Sequence, residues 1–330
     1  MLHRVSQQDR HLALCLSASA GLSRRAAGGT HTLARNMGTQ AREGRAAIGY
    51  AAILVTIVTW ASAFAAIRLG LRYLGPVELA AARYITAAIP AGLYLLVARP
   101  ALPAPRDLLR LAVIGPIFIA AYAVLLNTGE RTVAAGPASF IIQANPVVVA
   151  LIALPLLGER FGVWGWIGTA ICFAGVGLIA FGSGEGIGFD PGVLLILGAA
   201  VCTSISTIMQ KPLLSRLSAM VVTAWILLIG AVPLLPAAPK AVAALSAAPA
   251  DVAVAVLYLA IFPTVIGFLT WAMALKRFPA SRAANFLYLI APTATLIGFA
   301  WLGEVPRPLE VVGAVMAIGG VLLVNLKGRA

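Results

Sequence analysis

The sequence predicts an all-α integral membrane protein of ten transmembrane helices, arranged as two inverted five-helix repeats with both termini cytoplasmic. Three observations carry that prediction: a shortage of charge, a series of apolar stretches long enough to cross a bilayer, and a second half that restates the first. Hydrophobic residues make up 61% of the 330 residues and charged residues 11%, against roughly a quarter charged in soluble domains. Too little polar surface remains to cover a core of this size in water, so a lipid bilayer is the expected solvent and partner. The formal net charge of +13 would suit a nucleic-acid binder if the chain were soluble. Its Lys and Arg lie between apolar runs, and no basic stripe alternates with aromatic residues as a stacking groove requires. No nucleic-acid partner is therefore expected. Cys15, Cys172 and Cys202 are too few and too scattered for a disulfide framework or a zinc site.

A helix needs about 20 apolar residues to cross a hydrocarbon core roughly 30 Å thick. Read between charges, such stretches run over 46–67, 111–129, 132–158, 161–184, 191–210, 217–239, 252–275, 283–303 and 311–326; a tenth, 76–98, is interrupted by Arg83. With the N-terminus inside, the inner segments hold Arg99, Arg106, Arg110, Arg160, Lys211, Arg216, Lys276, Arg277, Arg282, Lys327 and Arg329. The outer segments hold only Arg68, Arg72, Arg131, Lys240 and Arg307. That excess marks the inner side as cytoplasmic. Residues 1–46 carry many arginines against only Asp9 and Glu43, and are read as a basic disordered leader outside the fold. A cytoplasmic tail, an extension upstream of a start at Met37, and an organelle transit peptide all fit its composition.

The internal repeat has an offset of about 145 residues. Ala138-Ser139-Phe140-Ile141 through Pro146 aligns with Ala284-Asn285-Phe286-Leu287 through Pro292, and Gly158-Glu159 with Gly303-Glu304. Gly168 and Gly175 match Gly313 and Gly320, Pro90 matches Pro233, and Arg131 matches Arg277. The layout is thus a first repeat over 47–182, a Gly-rich linker over 183–189, a second repeat over 190–326 and a short basic tail over 327–330. A repeat of five spans must invert its second copy, and exchange of conformation between inverted halves is the physical basis of alternating access in secondary carriers. The run from Gly182 to Gly188 lacks the Lys-Ser or Lys-Thr of a phosphate loop, and no cofactor is expected.

From about Ala47 to Leu326 the chain resembles the drug/metabolite transporter superfamily, specifically two EamA-type domains. The resemblance rests on Trp60 with Ser62 and Phe64 in the first span, Arg83 in the second, Pro146 followed by Leu157-Gly158-Glu159, and Leu302-Gly303-Glu304 after Pro292. Ala63 stands where the family commonly has an Asn or a similar polar residue. The resemblance implies a multi-pass protein of the plasma (bacterial inner) membrane that moves a small molecule. It also implies a central cavity lined by the first, third and fourth helices of each repeat, which brings in Ser62. Substrates across the superfamily include amino acids, nucleotide sugars, other metabolites and cationic drugs, so the fold alone names none.

Several residues are candidates for that cavity, each with a plainer reading beside it. Pro146 and Pro292 sit mid-span, where proline removes a donor and frees the carbonyls of Ile142 and Tyr288; they read as hinges or as static kinks. Gln143, Asn145, Asn285 and Tyr288 flank the kinks and read as cavity lining or as interhelical hydrogen bonds. Trp60, Tyr122, Asn127 and Trp271 read as lining or as packing. Arg83, some eight residues into its span, needs a partner, a route to the interface, or an anionic substrate. Glu159 and Glu304 follow glycines that can cap helices, and read as gate-edge charges or ordinary loop charges. The glycine pairs suit close packing or a homodimer contact.

A membrane-embedded enzyme is disfavoured because His3, His11 and His31 all lie in the leader, leaving no histidine in any span for a nucleophile pair or a metal. A lipid-handling or non-transporting protein is the other alternative to a carrier. The apolar centres of the spans hold no Asp or Glu, and Glu78, Glu130, Glu159 and Glu304 fall near span ends, where hydration is expected to keep them ionised. The sequence therefore predicts a facilitator or exchanger with no direct proton site.

Overall fold

The computed structural model describes residues 46–133, 135–159, 162–182, 191–302 and 307–327. The expected leader, linker and Glu304 lie outside them. Gly49–Ala330 form the compact unit that makes up the helical bundle. The helices are α1 (Ala46–Leu71), α2 (Pro76–Ala98), α3 (Pro105–Gly129), α4 (135–157), α5 (Val163–Gly182), α6 (Pro191–Leu214), α7 (Ala219–Ala247), α8 (Ala250–Arg277), α9 (280–302) and α10 (Pro308–Lys327). No strand occurs among the described residues. Among the described residues, eight stretches, in α1, α2, α3, α4, α6, α7, α8 and α10, are long and apolar enough to cross a membrane. The apolar part of α5, Val163–Ile179, is shorter, and α9 is interrupted.

Several helices overrun the apolar stretches read from the sequence, because a charge inside a helix end need not end it. Pro105 starts α3 at its first turn, where a missing N–H costs nothing, and Asp107 in that turn forms a charge-assisted pair with Arg216 just beyond α6. The α7 helix likewise runs past Lys240, whose long stem can carry its charge toward the interface.

The interior is mostly apolar but carries several wholly buried polar side chains, and the outside is apolar too. Leu93 and Leu96 on α2, Leu194 on α6, Val254 on α8 and Val315 on α10 are all more than half exposed, while Thr56, Ser204, Thr264 and Asn285 are wholly buried. An apolar surface this extensive would aggregate in water and is the face that lipid covers. Many of the polar groups inside are satisfied locally or across helices, as the hydroxyls of Thr56 and Thr270 are by each other at 2.7 Å.

The helix irregularities recur at the spacing of the repeat. Both α3 and α8 widen into π-helical segments, Pro116–Ala121 and Ala260–Ile266. The predicted kinks are full interruptions. In α4, the helices Ala135–Ile142 and Asn145–Leu157 flank a turn in which Gln143 N bonds Phe140 O and Ala144 N bonds Ile141 O. In α9, a 3-10 turn, Phe286–Leu289, separates Ala280–Asn285 from Ile290–Leu302. Pro146 and Pro292 are the cause in both places: neither can donate to the preceding turn, which tightens to i→i−3 bonds.

Glycine fixes the closest helix contacts. A Cβ at Gly175 of α5 would lie 2.6 Å from the carbonyl oxygen of Gly313 in α10, and one at Gly320 would lie 2.7 Å from that of Gly168. The glycine faces predicted for close packing or for a homodimer contact thus meet each other inside the chain. Gly158, at φ 63, ends α4 in the left-handed conformation that a side chain disfavours.

Candidate functional site

A cavity of about 50 Å³ lies among α1, α2, α3, α4, α6, α8 and α9. Trp60, Ala63, Phe64 and Ile67 present one face of α1 to it, at the helical spacing of three and four. On α3 the stripe is Phe118, Tyr122 and Leu126. Ile142, Gln143 and Asn145 come from the interruption in α4, and Leu287 and Ile290 from that in α9. The two breaks therefore bring backbone ends and polar side chains to the same wall.

Its chemistry is one cation, a few amides and an aromatic floor. The Phe118 and Phe268 rings stack at 4.6 Å, and Trp60 meets Phe268 edge-on at 5.9 Å. Trp60 Nε1 donates to the carbonyl of Pro263 at 3.0 Å, an acceptor in the π-helical segment of α8. Gln143 Nε2 donates to Leu287 O at 2.5 Å, and Asn145 Nδ2 to Ser204 Oγ at 2.9 Å. Asn145 Oδ1 has no partner among the described residues. Arg83 is buried on the wall, its Nε donating to Thr264 Oγ1 at 2.7 Å and its guanidinium 4.8 Å from the Tyr84 ring centre. Among the described residues its partners are thus a neutral hydroxyl and a ring, with no carboxylate in salt-bridge contact. A buried cation without a counter-ion is costly.

Of the residues singled out in the sequence, Trp60, Arg83, Tyr122, Gln143 and Asn145 reach this wall. Ser62 instead bonds Tyr258 Oη at 2.6 Å, tying α1 to α8. Asn127 donates to the carbonyl of Pro76. Trp271 is buried behind Trp60, their ring centres 5.7 Å apart. Asn285 accepts from Thr169 at 2.9 Å and donates to Ser281 O, which holds α9 against α5. Tyr288 is fully buried in protein, and Pro146 is buried in the first turn of the second α4 piece. Sequence reading missed Phe118, Thr203 and Phe268. Thr203 could have been found from the repeat, which sets the Thr-Ser run of α6 against the Thr59–Ser62 stretch of α1.

One end of the bundle is closed by polar ties. Glu159 accepts from Ala280 N, Ser281 N at 3.0 Å and Ser281 Oγ at 2.6 Å, so its carboxylate caps the N-terminus of α9. Lys211 donates to the carbonyls of Leu275, at 2.6 Å, and Phe278. Together these tie α4, α6, α8 and α9 at the end where α1 begins.

Glu130 corrects an expectation. It stands one residue past the end of the α3 span, yet it is 4% exposed and neither carboxyl oxygen has a hydrogen-bond partner among the described residues. Hydration does not hold it ionised. Burial lifts its carboxyl to about 8, against the downward pull of Arg68 and then Arg83.

The EamA-like transporter family matches residues 47–181 and 190–326, one match in each half. The chain is 38% identical over 275 residues to a probable terminal-alkyne amino-acid exporter of Streptantibioticus cattleyicolor, covering 83% of this chain and 92% of that protein. It is 32% identical to the uncharacterized transporter YdfC of Bacillus subtilis, covering 81% and 88%. A probable amino-acid metabolite efflux pump of Salmonella typhimurium is 28% identical over 85% of this chain and 95% of its own. A protein of known crystal structure superimposes with a TM-score of 0.67 at 22% identity, covering 86% of this chain and 98% of that one, a likeness of fold alone.

Proposed function

From the premise that the chain belongs to the EamA-like transporter family, multi-pass membrane transporters of small metabolites, we propose a secondary carrier that exports a small amino-acid-type substrate by alternating access. The proposal takes the helices as ten spans in two inverted five-helix halves, with both termini cytoplasmic, in the plasma membrane. Paired π-helical segments and paired interruptions at the repeat spacing support that layout, as does the matching of the family to each half.

The observation that carries the substrate class is Arg83: a buried cation without a carboxylate in salt-bridge contact among the described residues, on the wall of a cavity that is also lined by the stacked Phe118 and Phe268 rings. A carboxylate supplies the missing counter-ion, and an apolar side chain suits the Phe118–Phe268 floor. Gln143 and Asn145 then offer hydrogen bonds to the polar end. The relatives named as amino-acid exporters agree with such a ligand. Each water needs roughly 10 to 15 Å³ of a cavity measured this way, so about 50 Å³ holds a few waters and no amino acid. The walls must part for substrate to enter. The interruptions in α4 and α9 are the hinges in this scheme, and the Glu159 and Lys211 ties are the cytoplasmic gate, broken when the cavity opens inward.

The test is uptake into proteoliposomes over a panel of metabolite classes, with counterflow as the readout. Saturable exchange of apolar L-amino acids is expected; exchange restricted to nucleotide sugars or organic cations would replace the substrate assignment, and no exchange of any class would remove the carrier reading. Cysteines placed in the leader and after Lys327 should be labelled only from the cytoplasmic side, and labelling of either from outside would refute the topology.

A further inference from the structure

Tyr122, Leu126 and Glu130 recur every four residues along a regular stretch of α3, and so share one face of the helix. The first two line the cavity. Glu130 continues their stripe one turn beyond the cavity wall, buried and without a hydrogen bond among the described residues. The charged groups that act on it are Arg68 of α1 and Arg83 of α2, and Glu130 in turn acts on Tyr122 of its own helix. Its neighbour Arg131 is exposed. The α6 helix packs along this part of α3 and carries no Asp, Glu, Lys or Arg before Lys211, and the first piece of α4 carries none at all. A carboxylate here would be both unsolvated and unbonded, whereas a neutral carboxyl avoids most of that cost. When the walls part, as the carrier reading above requires, water reaches this stripe and a carboxylate at Glu130 is no longer unsolvated.

We infer that Glu130 takes up and releases one proton in each turn of the transport cycle, so that flux through the cavity is proton-coupled. The step is an acid dissociation: the carboxyl O–H bond breaks, its electron pair stays on Glu130, and the proton passes to water admitted when the cavity opens. When the cavity next opens to the other side, Glu130 takes a proton from water there, so that one proton crosses the membrane in each cycle. The inference rests on the carrier reading above.

Two measurements on the full-length protein test it. Infrared difference spectra of the purified chain, stepped from acid to alkaline pH, should show a protonated-carboxyl band at neutral pH that disappears on alkalinisation and is missing from Glu130→Gln. A carboxylate ionised throughout, or an identical band in the variant, overturns the inference. In proteoliposomes, one pH unit across the membrane can sustain up to about tenfold accumulation of substrate per coupled proton. Wild type should accumulate labelled L-leucine accordingly. Glu130→Gln should keep counterflow and lose the response, and Glu130→Asp, which retains a carboxyl, should recover it. Equal responses in wild type and Glu130→Gln overturn the inference. If neither protein exchanges L-leucine while the infrared titration behaves as expected, the amino-acid reading fails and the proton site stands.

Discussion

The two halves of the molecule share a scaffold and differ in charge. The π-helical segments, the proline-driven interruptions and the glycine faces occur in both, but the buried ionisable groups beside the cavity belong to the first half. Counted from the Pro90 and Pro233 pair, the position that matches Arg83 is Ile226, itself a buried core residue. Counted from Arg131 and Arg277, the match to Glu130 is Lys276, which is exposed and donates to Leu217 O at 3.0 Å. Symmetry of the backbone is what an inverted-repeat carrier needs to interchange two conformations. Asymmetry of the side chains places the buried cation Arg83 in the first half and its neutral neighbours, Thr264, Pro263 O and Phe268, in the second; under the proposed function, the first half would read the substrate's charge.

The largest effect should come from removing the asymmetric charge. Arg83→Leu is expected to lower the apparent affinity in counterflow by about 30-fold or more, since a lost charge-assisted contact in a dry site costs about 2 to 5 kcal/mol. Thermal stability in detergent should hold or rise, because the variant also removes a buried cation that no carboxylate offsets. A stable variant with wild-type exchange would break the comparison. The shared scaffold is tested by size. Gly175→Val forces a side chain against the Gly313 backbone and should destabilise by about 1 to 3 kcal/mol. Gly319→Val, at a position with nothing within 4 Å of an added Cβ, should unfold at the wild-type temperature; equal losses in both would dissolve the α5–α10 contact.

Smaller effects should follow at the neutral contacts. Gln143→Leu removes the bond to Leu287 O that links the two interruptions, worth about 0.5 to 1.5 kcal/mol. It should weaken substrate competition several-fold with little change in melting. Ser62→Ala loses the interhelical bond to Tyr258 and a local bond to Thr59 O, and interhelical bonds average about 0.6 kcal/mol in membranes. Its exchange kinetics should stay near wild type, and a large loss there would move the substrate contact toward α1 and α8.

Much of the scaffold is legible in the sequence because its causes are local. Proline at matching positions predicts where α4 and α9 break, and glycine pairs predict where helices approach, although the partner of each glycine face comes only from the fold. The site is legible only in part. Gln143 and Asn145 lie beside a break and reach the wall, whereas Asn285 and Tyr288, which occupy the equivalent region of the second half, turn into packing against α5 and neighbouring core. A repeat predicts equivalent backbone, not equivalent side-chain exposure. Glu130 escapes sequence reading for a related reason. Its distance along the helix suggests hydration, while burial is set by the neighbouring helices that fold over it.

The most direct test of a carboxylate held by Arg83 is counterflow in proteoliposomes preloaded with L-leucine, comparing external L-leucine with leucinamide, which keeps the side chain and amine and lacks the carboxylate. Labelled substrate should exchange against L-leucine, and leucinamide should fail to exchange in wild type. Leucinamide exchanging as well as L-leucine would contradict the account, because the cavity would then be selecting its substrate without the charge that distinguishes its first half.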